Sequence, residues 1–235
     1  MKIIEVVNHS ICPQLIKAES LVVDLGANFG DFANAMNSQF GSKVYAVEAS
    51  PSTFQQITAG ENLSKHNLAV CSVSGPVELN VSSNPEASSL KHLNNAKYVE
   101  RITIPGITLT DFLDREAILK VDLLKIDIEG AEIEVFNSCR DDFLRSIDQI
   151  TVEFHEWAGV SSLVEVETIV GRLRRLGFFV FKQTRKDYSD VLFINRRCMS
   201  RLDYFITLIC VWFPRMMHYL GRKLKIAKDG AGTGK

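Results

Sequence analysis

Little in this chain points to covalent stapling or to a bound zinc. Its 235 residues include five cysteines (Cys12, Cys71, Cys139, Cys198 and Cys210), an odd number scattered without a CxxC pair. That spacing argues against a disulfide framework and a zinc site, and predicts a reducing, cytoplasmic setting. The opening MKIIEVVNHS lacks a basic start followed by a long apolar run, so no secretory signal is expected. A membrane-spanning helix needs ~20 apolar residues, and the run from Tyr204 to Phe213 has only ten before Pro214 and Arg215 interrupt it. Internal repeats are absent, and nothing marks a second domain. Net charge is also scarce, at −1. The balance is uneven, however: residues 196–235 hold nine Lys/Arg against Asp203 and Asp229, a charge of +7, leaving −8 on the remainder. An acidic body argues against nucleic acid on the main surface, whereas the basic tail suits an anionic partner.

What remains is an ordinary globular composition, 46% hydrophobic and 23% charged. Strand and helix patterns alternate through most of it. SLVVDL is short, apolar and rich in Val and Leu, as expected of a strand buried on both faces. Residues 29–39 predict a helix and KVYAVEA a second strand. Ser50-Pro51 starts a helix expected to reach about Leu63. LAVCSVSG and PVELNVS read as short strands, and residues 82–100 as a long polar surface loop, a type that is often functional. LTDFLDRE predicts a short helix capped by Thr110 or Thr108. VDLLKIDIEG, AEIEVFNSC and IDQITVEFHEW read as strand, helix and strand. Residues 161–176 carry a helical apolar stripe, and GFFVFKQ and DVLFIN close the pattern as strands. The alternation predicts an α/β fold with a mostly parallel sheet and helices on both faces.

Residues 22–32, VVDLGANFGDF, break the first strand pattern at Asp24, Gly26 and Gly30. Ligands of such sheets bind in the crevice at the carboxyl ends of the strands, where Asp24 falls. Taken alone, this reads equally as a glycine turn whose Asp24 satisfies nearby amides. Glu48 shifts the balance. It lies 24 residues past Asp24, at the end of the next strand, placed to take two hydrogen bonds from a ribose diol. A dinucleotide turn would read GxGxxG, but Asn28 replaces the second glycine and Asp31 the third. A carboxylate there repels a pyrophosphate. The ligand that fits is an adenosine bearing a zwitterionic, sulfonium-linked amino acid, S-adenosylmethionine, with its carboxylate facing the helix N-terminus.

A second constellation follows. LLKIDIEGAE places Asp127 and Glu129 two apart at a strand end, on one side if the strand persists. Glu129 and Glu132 read equally as acids in the first turn of the next helix. VEFHEW repeats the theme with Glu153 and His155, while Phe154 and Trp157 wall a pocket or join the core, the core being the better reading for Phe154. Methyl transfer to a hydroxyl needs an aligned acceptor and a group to take its proton. His155 suits a general base near neutrality, with Asp127, Glu129 and Glu153 orienting or tuning the acceptor. The same four side chains form a donor set for a hard divalent cation. No compact ligand signature demands one, so a metal is the minority reading.

With these segments in hand, the chain resembles the FkbM family of S-adenosylmethionine-dependent methyltransferases. The resemblance rests on VVDLGANFGDF, VYAVEASP, NLAVCSVSG, ITLTDFL, LLKIDIEGAE and ITVEFHEW, in that order, over residues 20–195. It implies a class I methyltransferase fold, a Rossmann-like seven-stranded sheet with its last strand antiparallel, and a hydroxyl acceptor on a sugar, a polyketide-derived compound or another small molecule; a glycan or glycolipid is the acceptor expected here. Asp24, Gly26, Asn28 and Gly30 match the family's cofactor loop, and Glu48 its ribose-binding acid. Asn67 and Ala69 match the segment near the adenine, and Asp127 and Glu129 the acidic strand end. The family assigns no base, so His155 rests on its chemistry alone.

Residues 196–235 lie beyond the resemblance. Their apolar-then-basic pattern predicts a helix packed on the body or a partner, followed by peripheral contact of residues 202–228 with the inner face of a membrane as second reading. The closing GTGK has no helix after it and reads as disordered rather than as a phosphate loop. Three functions compete: an O-methyltransferase, a nicotinamide-dependent oxidoreductase disfavoured by Asn28 and Asp31, and a membrane-associated nucleoside binder without chemistry.

Overall fold

The first turn places two non-glycine residues in the left-handed region. Ile4–Val6 (β1) and His9–Ile11 (β2) form a hairpin whose two turn residues, Val7 and Asn8, have φ of +44° and +63°. Two positive φ values give the turn the twist that flanking strands require. The hairpin is fastened to the main sheet by buried polar bonds. Cys12 N–H donates to Gln149 at 2.9 Å, and the Ser10 amide to Asp190 at 3.1 Å. This computed structural model describes residues 1–94, 96–183, 187–202 and 205.

Leu21–Leu25 (β3), Asp31–Phe40 (α1), Lys43–Glu48 (β4), Pro51–Phe54 (α2) and Leu63–Asn67 (β5) make the first half of the sheet. Ala69–Val70 (β6), Gly75–Ser82 (β7) and Tyr98–Ile107 (β8) leave it to form a small sheet of order β6-β8-β7. Leu109–Arg115 (α3) returns to Leu123–Ile126 (β9), then Glu132–Ser138 (α4), Asp141–Ser146 (α5), Gln149–Val152 (β10), Leu163–Arg175 (α6), Phe178–Lys182 (β11) and Val191–Asn195 (β12). The seven strands run in the order β11-β12-β10-β9-β3-β4-β5, with only β12 antiparallel to its neighbours. The class I methyltransferase architecture expected from the sequence is therefore present.

Alternate residues of the buried strands feed two cores. Val23, Leu25, Leu124, Ile126, Ile150 and Val152 pack under α3, α4 and α6, while Val22, Val44, Ala46 and Leu123 meet α1 and the hairpin. Strand order reverses between β3 and β9, which opens the crevice at their carboxyl ends.

Several elements depart from expectation. The helix after Ser50 stops at Phe54, and Leu63, expected as its end, begins β5. As an edge strand, β5 stays polar on most positions (LSKHN) and so lacks the apolar signal of its neighbours. Residues 98–107, the polar end of the expected loop and the segment after it, form β8, whose Glu100 and Arg101 face solvent. The short hairpin and α5 carry no period long enough to announce them. The cap of α3 is Thr108, whose hydroxyl accepts from Asp111 N–H.

The chain divides into two compact units, Met1–Asn195 and Arg196–Lys235. Of the expected lipid-facing stretch 202–228, only Leu202 and Phe205 are described, and the GTGK end lies outside the described residues. Among the described residues, no helix is long and apolar enough to cross a membrane.

Candidate active site

A crevice of about 310 Å³ opens where β3, β4, β9 and β10 end. Its wall on one side is the glycine turn. Gly26 has φ +78°, and a Cβ there would fall 1.7 Å from the Asp127 carbonyl oxygen, so only glycine lets the turn approach β9. The Gly26 and Ala27 amides both donate to Val47 O at 2.9 Å, and Asn28 N–H donates to Glu48 Oε2 at 2.8 Å. Three amides that a dinucleotide loop would turn on a pyrophosphate are thus spent inside the protein. Gly30, φ +87°, caps α1 and packs on Ile57.

Glu48 stands at the end of β4, buried, with Oε1 accepting from Ser50 N–H at 2.7 Å and from the Thr53 hydroxyl at 3.1 Å. Burial pushes its carboxyl above the ordinary value, against the lowering pull of the Ser50 and Asn28 amides. A carboxylate has about four lone-pair sites, so Oε2 keeps room beside Asn28. The side chain has less free capacity for a diol than its sequence position alone suggests. Asn67 does not line the crevice: its amide holds the Glu48 and Ala49 carbonyls at 2.9 and 3.0 Å, and Leu68, Ala69 and Val70 provide the wall beside it.

Asp24 is also off the wall, fully buried and ion-paired with Lys125 Nζ at 3.2 Å. Lys125, buried on β9, donates to Gly26 O at 2.6 Å and stands 3.6 Å from Asp127. Burial pulls its ammonium down, but Asp24 and Asp127 outweigh it and leave it raised. Lys125 therefore locks the turn to the acidic strand end. Sequence reasoning passed over it because a lysine inside LLKID looks like any solvated charge.

The acids do gather, though not by strand periodicity. β9 stops at Ile126, and Glu129 reaches the crevice through a left-handed residue, φ +55°. The buried Ser89 hydroxyl, from the long loop, donates to its carbonyl. Glu132 is buried at the start of α4, where Oε1 accepts from Ile128 N–H at 3.2 Å, Gly130 N–H at 3.0 Å and His155 Nδ1 at 2.9 Å. His155 Nε2 lies 3.4 Å from Glu129, 3.7 Å from Asp127 and 3.9 Å from Glu153. On the other side His9, brought by the hairpin, stands 3.4 Å from Asp127. His9 and the Glu132 contact had no signal in the sequence, since both depend on segments far apart along the chain.

Burial works against the charged form of each group, and neighbours decide the outcome. Asp127 falls well below the carboxylate range because Lys125, His9 and His155 outweigh its burial. Glu129 rises to about 8 through burial and the charges of Asp127, Glu132 and Glu153. Glu153 rises to about 7 through burial, with Asp127 next. For His155, burial is overcome by Glu132, Glu129 and Asp127, which lift it to about 10. His155 is 1% exposed and does not line the crevice; Asp127, Glu129 and Glu153 stand between it and the cavity. The geometry thus differs from that expected of a histidine base: the ring stands behind the carboxylates and does not reach the crevice. Phe154 is core, packed on Phe136, whereas Trp157 is exposed beside His155 with ring centroids 5.7 Å apart.

Known proteins are similar to this chain. Human methyltransferase-like protein 13, solved in complex with SAH, overlays with a TM-score of 0.47 at 13% identity, covering 83% of this chain and 82% of that one. Methyltransferase 1 of Beauveria bassiana is 27% identical over 168 residues, 60% of this chain and 67% of its own. Hexuronic acid methyltransferase AglP of Haloferax volcanii is 25% identical over 182 residues, 72% of each chain. The methyltransferase FkbM domain matches residues 24–180, from Asp24 through β9, β10 and the acidic cluster. The chain belongs to the FkbM methyltransferase family.

Proposed function

We propose that the chain is an O-methyltransferase whose acceptor is a sugar hydroxyl on a glycan or related small molecule. The observation that carries this reading is the crevice itself, a cofactor turn on one wall and three converging carboxylates facing it. In this reading the ribose sits on Glu48 Oε2, the adenine lies along Leu68–Val70, and the sulfonium methyl points at the acids. The buried Asn28 Oδ1, which has no hydrogen-bond partner, accepts from the amino group of the methionine portion. A cationic sulfonium is attracted by this lining, and a pyrophosphate is repelled.

The acceptor oxygen attacks the methyl carbon in line. Its proton passes to Glu129, which lines the crevice on a backbone held in the left-handed region. The carbon–sulfur bond breaks with its electron pair remaining on sulfur, giving S-adenosylhomocysteine and a methyl ether. Exposed Trp157 offers an aromatic face on which the apolar side of a sugar ring stacks. The relative named as a hexuronic acid methyltransferase supports the sugar class. The test supplies labelled S-adenosylmethionine with uronic-acid oligosaccharides, neutral oligosaccharides and RNA. Label should enter an ether of a sugar, and Glu129→Gln should lower kcat about 10²–10⁴-fold with the cofactor still bound. Label found only in RNA, or an unimpaired variant, overturns the acceptor class or the base respectively.

A further inference from the structure

We infer that Asp127, Glu153 and His155 form a binding site for one divalent cation of the Mg²⁺ or Mn²⁺ class. Three observations, centred on His155, lead there. One ligand atom from each residue lies within 4.8 Å of the others, close enough to share an ion. The His155 ring is buried, and its Nε2 faces Asp127, Glu129 and Glu153 at 3.4–3.9 Å without making a hydrogen bond to any of them. Behind it, Glu132 takes Nδ1 at 2.9 Å and is itself pinned by the Ile128 and Gly130 amides. A carboxylate gripping the far nitrogen is how proteins fix the tautomer and aim of a metal-binding imidazole. Two carboxylates with one imidazole suit a hard or borderline cation. The neighbouring Lys125 and His9 stand on Asp127 Oδ2 at 3.6 and 3.4 Å, and Oδ1 is the oxygen that faces His155.

This inference rests on the methyl-transfer reading for its purpose, though not for its geometry. Asp127 and Glu153 line the crevice, so an ion between them keeps positions open for two acceptor oxygens. A vicinal diol, or a hydroxyl beside a carboxylate, would chelate there. The ion would lower the pKa of the bound hydroxyl, orient it and leave Glu129 to receive the proton. It would also admit an anionic sugar to a crevice whose own charge repels one.

The test adds Mn²⁺ to chelator-treated full-length protein and follows it by electron paramagnetic resonance. One Mn²⁺ should bind per chain, be displaced by Mg²⁺, and show spin-echo modulation from a single imidazole nitrogen. His155→Gln and Glu153→Gln should each weaken binding by about tenfold or more. The nitrogen signal in the wild-type protein decides the matter even if a variant fails to fold. No stoichiometric uptake, or uptake without nitrogen modulation, overturns the site. A parallel titration with S-adenosylhomocysteine separates the two readings: cofactor binding without Mn²⁺ removes only the metal, and Mn²⁺ without cofactor removes the methyl-transfer role.

Discussion

Glu48 shows how much one side chain is asked to do. Its oxygens hold the Asn28 and Ser50 amides and share the Thr53 hydroxyl, so it shapes the turn before any ribose arrives. Glu48→Gln keeps the volume but replaces one acceptor oxygen with a donor facing an N–H. Hydrogen bonds to charged groups contribute about 1.5–3 kcal/mol. S-adenosylmethionine should therefore bind about 10–100-fold more weakly by calorimetry, and unchanged affinity would place the ribose elsewhere. The spacing from Asp24 to Glu48 was legible in the sequence because both lie at ends of adjacent parallel strands. The company each keeps was not: Asp24 turns to Lys125, which comes from a strand 101 residues on. Asn67 likewise carries a polar side chain suited to adenine, yet its amide closes the β4–β5 ends.

Among the elements, the β1–β2 hairpin holds a β-branched residue in the left-handed region at Val7, φ +44°. That conformation costs an L-residue about 1–2 kcal/mol, and Asn tolerates it better. Val7 lines the crevice mouth and delivers His9 two residues later, so strain and function coincide. Val7→Asn should raise stability by about 1 kcal/mol, measured by urea unfolding, with a Tm rise of about 2–4 °C for a chain of this size. A fall in stability would mean that Val7 packing outweighs the backbone. The apolar run of β3 and the long helical stripe of α6 were readable from sequence. The hairpin and α5 were not, because three to six residues carry too little pattern, and β5 was not, because an edge strand of LSKHN lacks the apolar run.

For the whole molecule, charge is the property that acts at range. Residues 1–195 carry −8, and the crevice is lined by Asp31, Glu48, Asp127, Glu129 and Glu153 with Lys125 as counter-charge. Such a field draws in a sulfonium cation and is screened as salt shortens the Debye length from ~30 Å at 0.01 M to ~8 Å at 0.15 M. Affinity for S-adenosylmethionine should fall across that range while that for uncharged-sulfur S-adenosylhomocysteine falls less. Equal salt dependence of the two, measured side by side, would show that the acids do not face the sulfonium. The sequence by itself determined the fold class, the glycine turn after β3 and the presence of two acidic strand ends, because local periodicity and glycine placement suffice for these. Only tertiary structure decided that Lys125 locks the turn, that Glu132 grips His155, and that His155 stands behind the carboxylates. Those facts depend on burial and on contacts between distant segments, which set charge states that no local pattern encodes.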